Sequence, residues 1–243
     1  MRSKRIWALA VAFGLTSGLS VSSHPLQAQA ASMPIASQEA GTTYSGDLQN
    51  GLPQGKGKLE WGSNKWYVGE FMQGKRSGSG KYFNEYVDKD GQKHRLVYNG
   101  SWNHDQMNGP GTRTEQVTDA SGQFLLNKIE TGAFVDNAWA SGYNVYKILG
   151  DPDHSFVFKG NGMTLSIWGT AGNLLEKWKA GELFRVQYQK VSVYKEYWQD
   201  PEENPAKEKA RQTSIHYLQG ITKQVVPYLE QFEQLAKQVP FPK

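Results

Sequence analysis

From Trp66 to Phe71 the side chains alternate in character, so Tyr67, Gly69 and Phe71 project from one side of an extended strand. A glycine-rich turn follows over Gln73–Gly78, and Ser79–Phe83 starts a returning strand. This hairpin pattern recurs. Tyr44, Gly46, Leu48, Gly51, Gly55, Gly57 and Leu59 keep every interval of Tyr67, Gly69, Phe71, Gly74, Gly78, Gly80 and Tyr82. Tyr98, Gly100, Trp102, Gly109 and Gly111 form a third copy, with Asp105 where a glycine should stand. A fourth is degraded: Gly132, Phe134 and Gly142 remain, Glu130 replaces the tyrosine and Asn137 the middle glycine. Phe158 and Gly160 offer the start of a fifth, and Trp168–Leu175 with Lys177–Leu183 read as looser variants. Repeats of this length each form one supersecondary unit that buries its apolar face against its neighbours. A glycine inside each strand leaves room for an aromatic ring to lie flat on the backbone, which explains why the two residue types travel together.

Three segments interrupt the spacing. Asp88-Lys89-Asp90-Gly91 lies between Tyr82–Val87 and Gln92–Tyr98, and Asp-Gly between apolar runs signals a hairpin turn. Asp119–Gly122 and Gly150–Asp153 are similar, and all three read either as connections that project from the sheet or as ones that only widen it. Further on, Phe184, Val186 and Tyr188 alternate, as do Val191 and Val193, which predicts a last strand or strand pair. Asp200–Pro205 carries two prolines and marks a boundary. Beyond it Ile215, Leu218, Val225, Leu229, Phe232 and Val239 recur near helical spacing. Pro227 has no amide donor, so a kink or a break between two helices is expected there. Such a helical segment suits a cap on the end of the sheet, where a repeat array leaves apolar surface and an unpaired edge.

The motif Tyr-x-Gly-x-aromatic, then x-x-Gly, then x-x-x-Gly-x-Gly resembles the MORN repeat, over roughly residues 44–160 and more loosely to 183. The resemblance implies a mainly β fold: a MORN-type antiparallel β-hairpin repeat array, here with a C-terminal amphipathic helix or kinked helix pair. It also implies a protein that binds rather than catalyses, in a family associated with membrane-proximal assembly and, more debatably, phospholipid contact.

The ends alter this picture. Arg2, Lys4 and Arg5 precede a mostly apolar run from Ile6 to Val21, and Ala28-Gln29-Ala30 supplies a small-x-small cleavage site. Residues 1–30 therefore read as a signal peptide cleaved near Ala30, and 31–43 as a flexible lead-in. The repeat domain is placed at 44–199, a turn at 200–205 and the helical cap at 206–243. Export is expected: to the periplasm, the cell surface or the medium. The chain holds 27 basic and 23 acidic residues, and without the three leader cations its net charge falls from +4 to +1. Net charge then gives no support to a nucleic-acid partner and little to purely electrostatic attraction by anionic lipid. There is no cysteine, hence no disulfide and no lipid-attachment thiol.

Residues with catalytic potential do not assemble into a motif. The five histidines are scattered; His94 and His104 are the pair with room to approach each other across neighbouring strands, but no His-x-x-His spacing supports a metal site. Asp88-Lys89-Asp90-Gly91 lacks the later acidic ligands of a calcium loop. Glu60, Glu70, Glu85, Glu115 and Glu130 fit a solvated sheet face better than a catalytic pair. No catalytic residue, cofactor or metal is assigned. What stands out is aromatic density. Trp66, Tyr82, Tyr86, Trp102 and Trp168 make up a candidate binding face, since exposed rings stack on partners. The partner expected is another protein of the envelope or extracellular space; a glycan or phospholipid surface is the alternative, with cell-wall carbohydrate binding as the runner-up function.

Overall fold

The structure, a computed structural model, describes residues 41–239. The leader read at 1–30 lies outside the described residues. Twelve strands run in chain order: β1 (Thr42–Gln49), β2 (Leu52–Trp61), β3 (Lys65–Met72), β4 (Lys75–Val87), β5 (Lys93–Asn103) and β6 (Gln106–Thr118), then β7 (Phe124–Val135), β8 (Ala138–Ile148), β9 (His154–Gly160), β10 (Met163–Gly169), β11 (Arg185–Lys190) and β12 (Val193–Trp198). Helix α1 (Leu174–Ala180) interrupts between β10 and β11, and α2 (Pro205–Gly220) and α3 (Thr222–Ala236) follow the last strand. Each strand pairs antiparallel with the next, giving one continuous meander. This is the mainly β hairpin array with C-terminal helices that the spacing predicts.

Register explains the repeat. Gly46, Gly57, Gly69, Gly80, Gly100, Gly111, Gly132 and Gly142 stand opposite one another from strand to strand, an unbroken glycine row across β1–β8. Directly paired residues share a sheet face. The adjoining row on that face runs Tyr44, Leu59, Tyr67, Tyr82, Tyr98, Arg113, Glu130 and Asn144. Each repeat tyrosine folds its ring down onto the glycine row. A Cβ added at Gly80 or Gly57 would land within the ring of Tyr67 or Tyr44, and one at Gly69 would meet the Gly80 Cα at 2.5 Å. The hydroxyl then reaches the carbonyl three residues on: Tyr44 to Asp47 (2.9 Å), Tyr67 to Glu70 (3.0 Å) and Tyr98 to Ser101 (3.0 Å). Those carbonyls sit where the ladder slips register just after each glycine, so the phenol engages a backbone group at the bulge.

The core changes sides along the sheet. On the tyrosine face of β3–β7, Tyr67, Tyr98 and Phe134 are fully buried although none of the described helices lies over them. On the opposite face a second row runs Trp66, Phe83, Val97, Thr114, Ile129, Val145, Phe156, Ile167, Val186 and Tyr197. From Ile129 onward that row is buried in the second core, with Val225, Leu229 and Phe232 of α3 and Leu218 of α2. α3 packs over β8 and β9, and α2 against β12. The helices therefore cover a face of the C-terminal strands and do not sit as a plug on the end of the array. Glu233 of α3 accepts from the amides of Gly172 (2.8 Å) and Leu174 (2.7 Å), which caps α1 from outside. No helix among the described residues is long and apolar enough to cross a membrane.

Several boundaries differ from the sequence reading, each for a local reason. β1 begins at Thr42, inside the segment assigned to the lead-in. Two of the insertions lengthen the sheet: Tyr86 pairs with His94 and Val87 with Lys93 beside Asp88–Gly91, and Val117 pairs with Leu126 and Thr118 with Phe124 beside Asp119–Gly122, whereas the β8–β9 ladder ends at Tyr146 and Ser155, short of Gly150–Asp153. Val191 is in the turn before β12, with φ 51°. Lys177–Leu183 is not a repeat variant. Leu174 and Trp178, four apart, bury one side of α1, and Gly181 ends it in a left-handed conformation. The helical break falls at Ile221, between α2 and α3, and not at Pro227, which is exposed within α3. Phe158 does not open a fifth copy on the tyrosine face; Val157 takes that row, and Phe158 points to α3, its ring 4.4 Å from that of Tyr228.

The glycine row sets a steric test. Gly80→Val drives two methyls into Tyr67 and should cost about 2–3 kcal/mol, read as a lower urea midpoint. Gly220→Ala, where nothing lies within 4 Å, should instead leave stability unchanged or raise it by up to about 0.5 kcal/mol, with the midpoint held or moved up. Equal midpoints for Gly80→Val and the parent would remove the ring-on-glycine contact as a structural cause.

Candidate functional site

Three arrangements occupy the tyrosine face. The first is an aromatic spine. Tyr44 meets Phe71 edge to face (5.2 Å), Phe71 meets Tyr67 (5.1 Å), Tyr67 meets Trp102 (5.2 Å), Trp102 meets Tyr98 (5.3 Å) and Tyr98 meets Phe134 (5.0 Å). Odd-numbered strands supply every ring, and each such pair adds roughly 0.5–1.5 kcal/mol beyond its buried area. Trp102 also donates to the Gly80 carbonyl at 3.1 Å. Burial pushes the Tyr98 phenol up to about 12 and raises that of Tyr67, so both stay neutral donors.

The second is a set of staples between successive hairpin turns. Gly74 donates to the Pro53 carbonyl (2.9 Å), Asp105 to that of Arg76 (3.0 Å) and Asn137 to that of Met107 (3.0 Å). The three donors are the equivalent turn positions of successive copies. Asp105 and Asn137 take positive φ, 71° and 70°, as a glycine would. Their side chains add a second bond: Asp105 Oδ1 accepts from the Arg76 amide (2.9 Å), and Asn137 Oδ1 from that of Met107 (2.8 Å). Asp105 also holds the Arg76 guanidinium at 3.0 Å, and Arg76 stands 4.4 Å above the Trp102 ring. The departures from glycine in copies three and four are thus extra fastenings.

The third is a polar band across β5–β8. His94 lies 3.1 Å from Asp88 and 3.4 Å from Glu115; Lys128 is 3.1 Å from Glu115 and 3.7 Å from Glu130; Arg113 donates to Glu130 at 2.8 Å. Burial opposes ionisation of Glu115, but Lys128 and His94 outweigh it and hold the carboxyl below its ordinary range. These carboxylates are engaged as ion-pair partners. Only Glu115 and Glu130 of the five candidate glutamates lie on this face; Glu60, Glu70 and Glu85 pair with residues of the opposite one. His94 and His104 stand at the two ends of one strand, about 30 Å apart by strand rise. No group of three or more His, Asp or Glu among the described residues is placed to hold a metal.

The five aromatic residues expected to form one binding face do not. Tyr82 and Trp102 are buried at 6% and 4% exposure, the first beside the spine and the second within it. Tyr86 is exposed at the end of the polar band and stacks on His94, 4.8 Å between centroids. Trp168 is half-buried on the tyrosine face of β10, far along the sheet, with the Arg185 guanidinium over it at 4.9 Å. Trp66 stands on the opposite face, stacked at 5.5 Å on Phe83. Phe83 and Arg95, which lies 5.7 Å above it, were missed because neither occupies a repeat-defining position; the alternation from Trp66 already placed a ring on that side. Beside them a shallow trough of about 430 Å³ is lined by Ser79, Asn99, Ser101, Pro110, Thr112 and Thr131.

An open antiparallel sheet of hairpin repeats, locked by tyrosine on glycine and backed by helices at one end, defines a hairpin-repeat protein. Three of its hairpins are MORN repeats: the MORN repeat model matches residues 44–65, 67–84 and 98–114. The chain is also similar to "MORN repeat-containing protein 3" of Xenopus laevis, 37% identical over 73 residues. That match covers 30% of this chain and 30% of the relative's length. The β7–β8 hairpin continues the same geometry outside the matched segments, through the Gly132–Gly142 pair and Phe134.

Asp105→Ala removes the acceptor for both the Arg76 amide and its guanidinium and should cost about 2 kcal/mol in chemical denaturation. Asp105→Asn keeps an amide acceptor and a tolerated left-handed backbone, so it should lose less. Equal losses for the two variants would show that the charge, and not the staple, carries the effect.

Proposed function

We propose that this protein is an exported, non-catalytic scaffold that binds another protein of the cell envelope or extracellular space through its open sheet. The observation that carries this reading is the face of β3–β6 that the described residues leave uncovered, where Trp66 and Phe83 stack in partial exposure on a sheet already held rigid from its other side. A stiff surface with aromatic anchors loses little conformational entropy on binding. The MORN repeats favour a binding role, and the polar band's carboxylates are engaged by lysine, arginine and histidine side chains instead of standing free for acid–base work. Export is supported by the basic, apolar and small-x-small order of residues 1–30. A near-neutral mature chain makes anionic lipid the weaker partner.

A second reading, glycan binding, is favoured by one arrangement on the tyrosine face of β10–β12. Arg185 lies between Trp168 (4.9 Å) and Trp198 (4.2 Å), and Glu196 accepts from Arg185 (2.9 Å) and Gln187 (3.2 Å). Indole rings beside a fixed set of planar hydrogen-bonding groups suit a sugar's apolar and hydroxylated sides.

Co-sedimentation with isolated cell envelope separates the two. Capture abolished by protease treatment of the envelope is the expected result and fits a protein partner. Capture that survives protease, with a tryptophan fluorescence shift on adding wall glycan fragments, would replace the first reading by the second; no shift at millimolar glycan would sink the second.

A further inference from the structure

The helix-covered row of the sheet does not stop where the helices do. Ile129, Val145 and Phe156 are buried beneath α3, and the same row continues outward as Thr114, Val97, Phe83 and Trp66, all partly exposed. The flanking row behaves likewise. Tyr143 and Phe158 lie against Tyr228 and Phe232 of α3, and outward the row becomes Thr131, Thr112, Asn99, Lys81, Val68 and Lys58. The surface that receives the chain's own amphipathic helix is therefore continued, in register, by a largely apolar row with cationic borders that no described residue covers. Lys81 lies 6.0 Å above the Trp66 ring and Arg95 5.7 Å above Phe83, and no acidic side chain among the described residues pairs with either. Lys58 and Lys93 do have partners, Glu60 and Glu85.

We propose that this stretch of β3–β6 is the docking surface for an amphipathic α-helix of a partner protein, its apolar side on Trp66, Phe83 and Val97 and its flanks acidic toward Lys81 and Arg95. The inference rests on the scaffold reading and specifies its partner. Four adjacent strands span about 14 Å, which matches a helix of roughly ten residues, or three turns. Charge decides the flanks: the two unpaired cations border the apolar row on opposite sides, Lys81 beside Val68 and Asn99, Arg95 beside Glu85 and Gln116. Glu85, already held by Lys93 at 2.9 Å, is the nearest acid to Arg95 in the register and limits the patch to a few acidic contacts on that side. A membrane surface would use the cations but would not explain the alignment of the row with one that already carries a helix.

The test uses the full-length protein and two fluorescent synthetic helices of fourteen or so residues, identical on their apolar side and flanked by Glu in one and Lys in the other. Anisotropy titration should show the Glu-flanked helix binding at least tenfold more tightly. Lys81→Glu with Arg95→Glu should reverse that order, and Trp66→Ser should weaken both helices, while circular dichroism and the urea midpoint stay close to the parent's. Equal binding of the two helices, no binding of either, or an unreversed preference in the charge-swapped protein would overturn the proposal. So would capture of the protein by phosphatidylserine vesicles that the double variant abolishes while the helices go unbound, which would assign the patch to a membrane. The same variants in the envelope co-sedimentation keep the two ideas apart: protease-sensitive capture unaffected by Trp66→Ser keeps a protein-binding role but removes the β3–β6 face as its site, and this proposal with it.

Discussion

Everything in the N-terminal two-thirds of the sheet depends on one contact, a tyrosine ring laid flat across a pair of glycines on adjacent strands. A single-layer sheet has no second layer to bury its aromatics, so it must bury them within its own thickness. Glycine makes that possible by removing the side chains on which the ring would otherwise ride. Tyr67 over Gly69 and Gly80 is fully buried by this means, with its hydroxyl bonded to the Glu70 carbonyl at the bulge. Once the rings lie down, their edges meet the next ring along, and the spine from Tyr44 to Phe134 follows. The cost is the conformational freedom lost at each glycine, about 0.5–1 kcal/mol relative to alanine. Edge-to-face pairing and the phenol hydrogen bonds offset it.

The contact also determines which surfaces remain for binding. Where the glycine row ends, at the Gly142–Lys159 pair, the rings have nowhere to lie, and the sheet turns to helices on its other face for burial. Strand β7 belongs to both regimes, sending Phe134 to the spine and Ile129 to the helical core. Rigidity thus comes from alternate sides, leaving one face open over β3–β6 and the opposite face open over β9–β12. Trp66 with Phe83 and Trp168 with Arg185 mark these two surfaces.

Much of the repeat architecture was legible because steric need writes itself as fixed spacing: a ring, then a gap, two and more positions on. The fourth hairpin was harder, since Arg113 and Glu130 carry the tyrosine row there by charge and not by shape. Asp105 and Asn137 look like erosion in sequence, yet each does what glycine does at positive φ and adds a cross-turn bond that a glycine cannot make. Helix α1 hid behind a Trp-Gly pattern because two buried residues are too few to set a period. Pro227 misled because proline six residues into a helix forfeits one bond that an exposed side can surrender to water. The candidate site was only partly readable. Aromatic density picked out Trp66 and Trp168, but it also picked Trp102, which belongs to the spine, and Tyr82, which is buried against it. Which face a residue takes depends on bulges after Gly46, Gly69 and Gly100, and these are set by the ring contacts between strands instead of by local sequence.

The most direct test of the spine is hydrogen exchange on Tyr98→Ala. If rings linked edge to edge hold the single-layer region as one unit, amide protection should fall together across β3–β7, while β9–β12, backed by α3, keeps its protection. Loss confined to the β5–β6 hairpin, with β3 and β7 unchanged, would contradict it and show that each repeat stands on its own strand pairing.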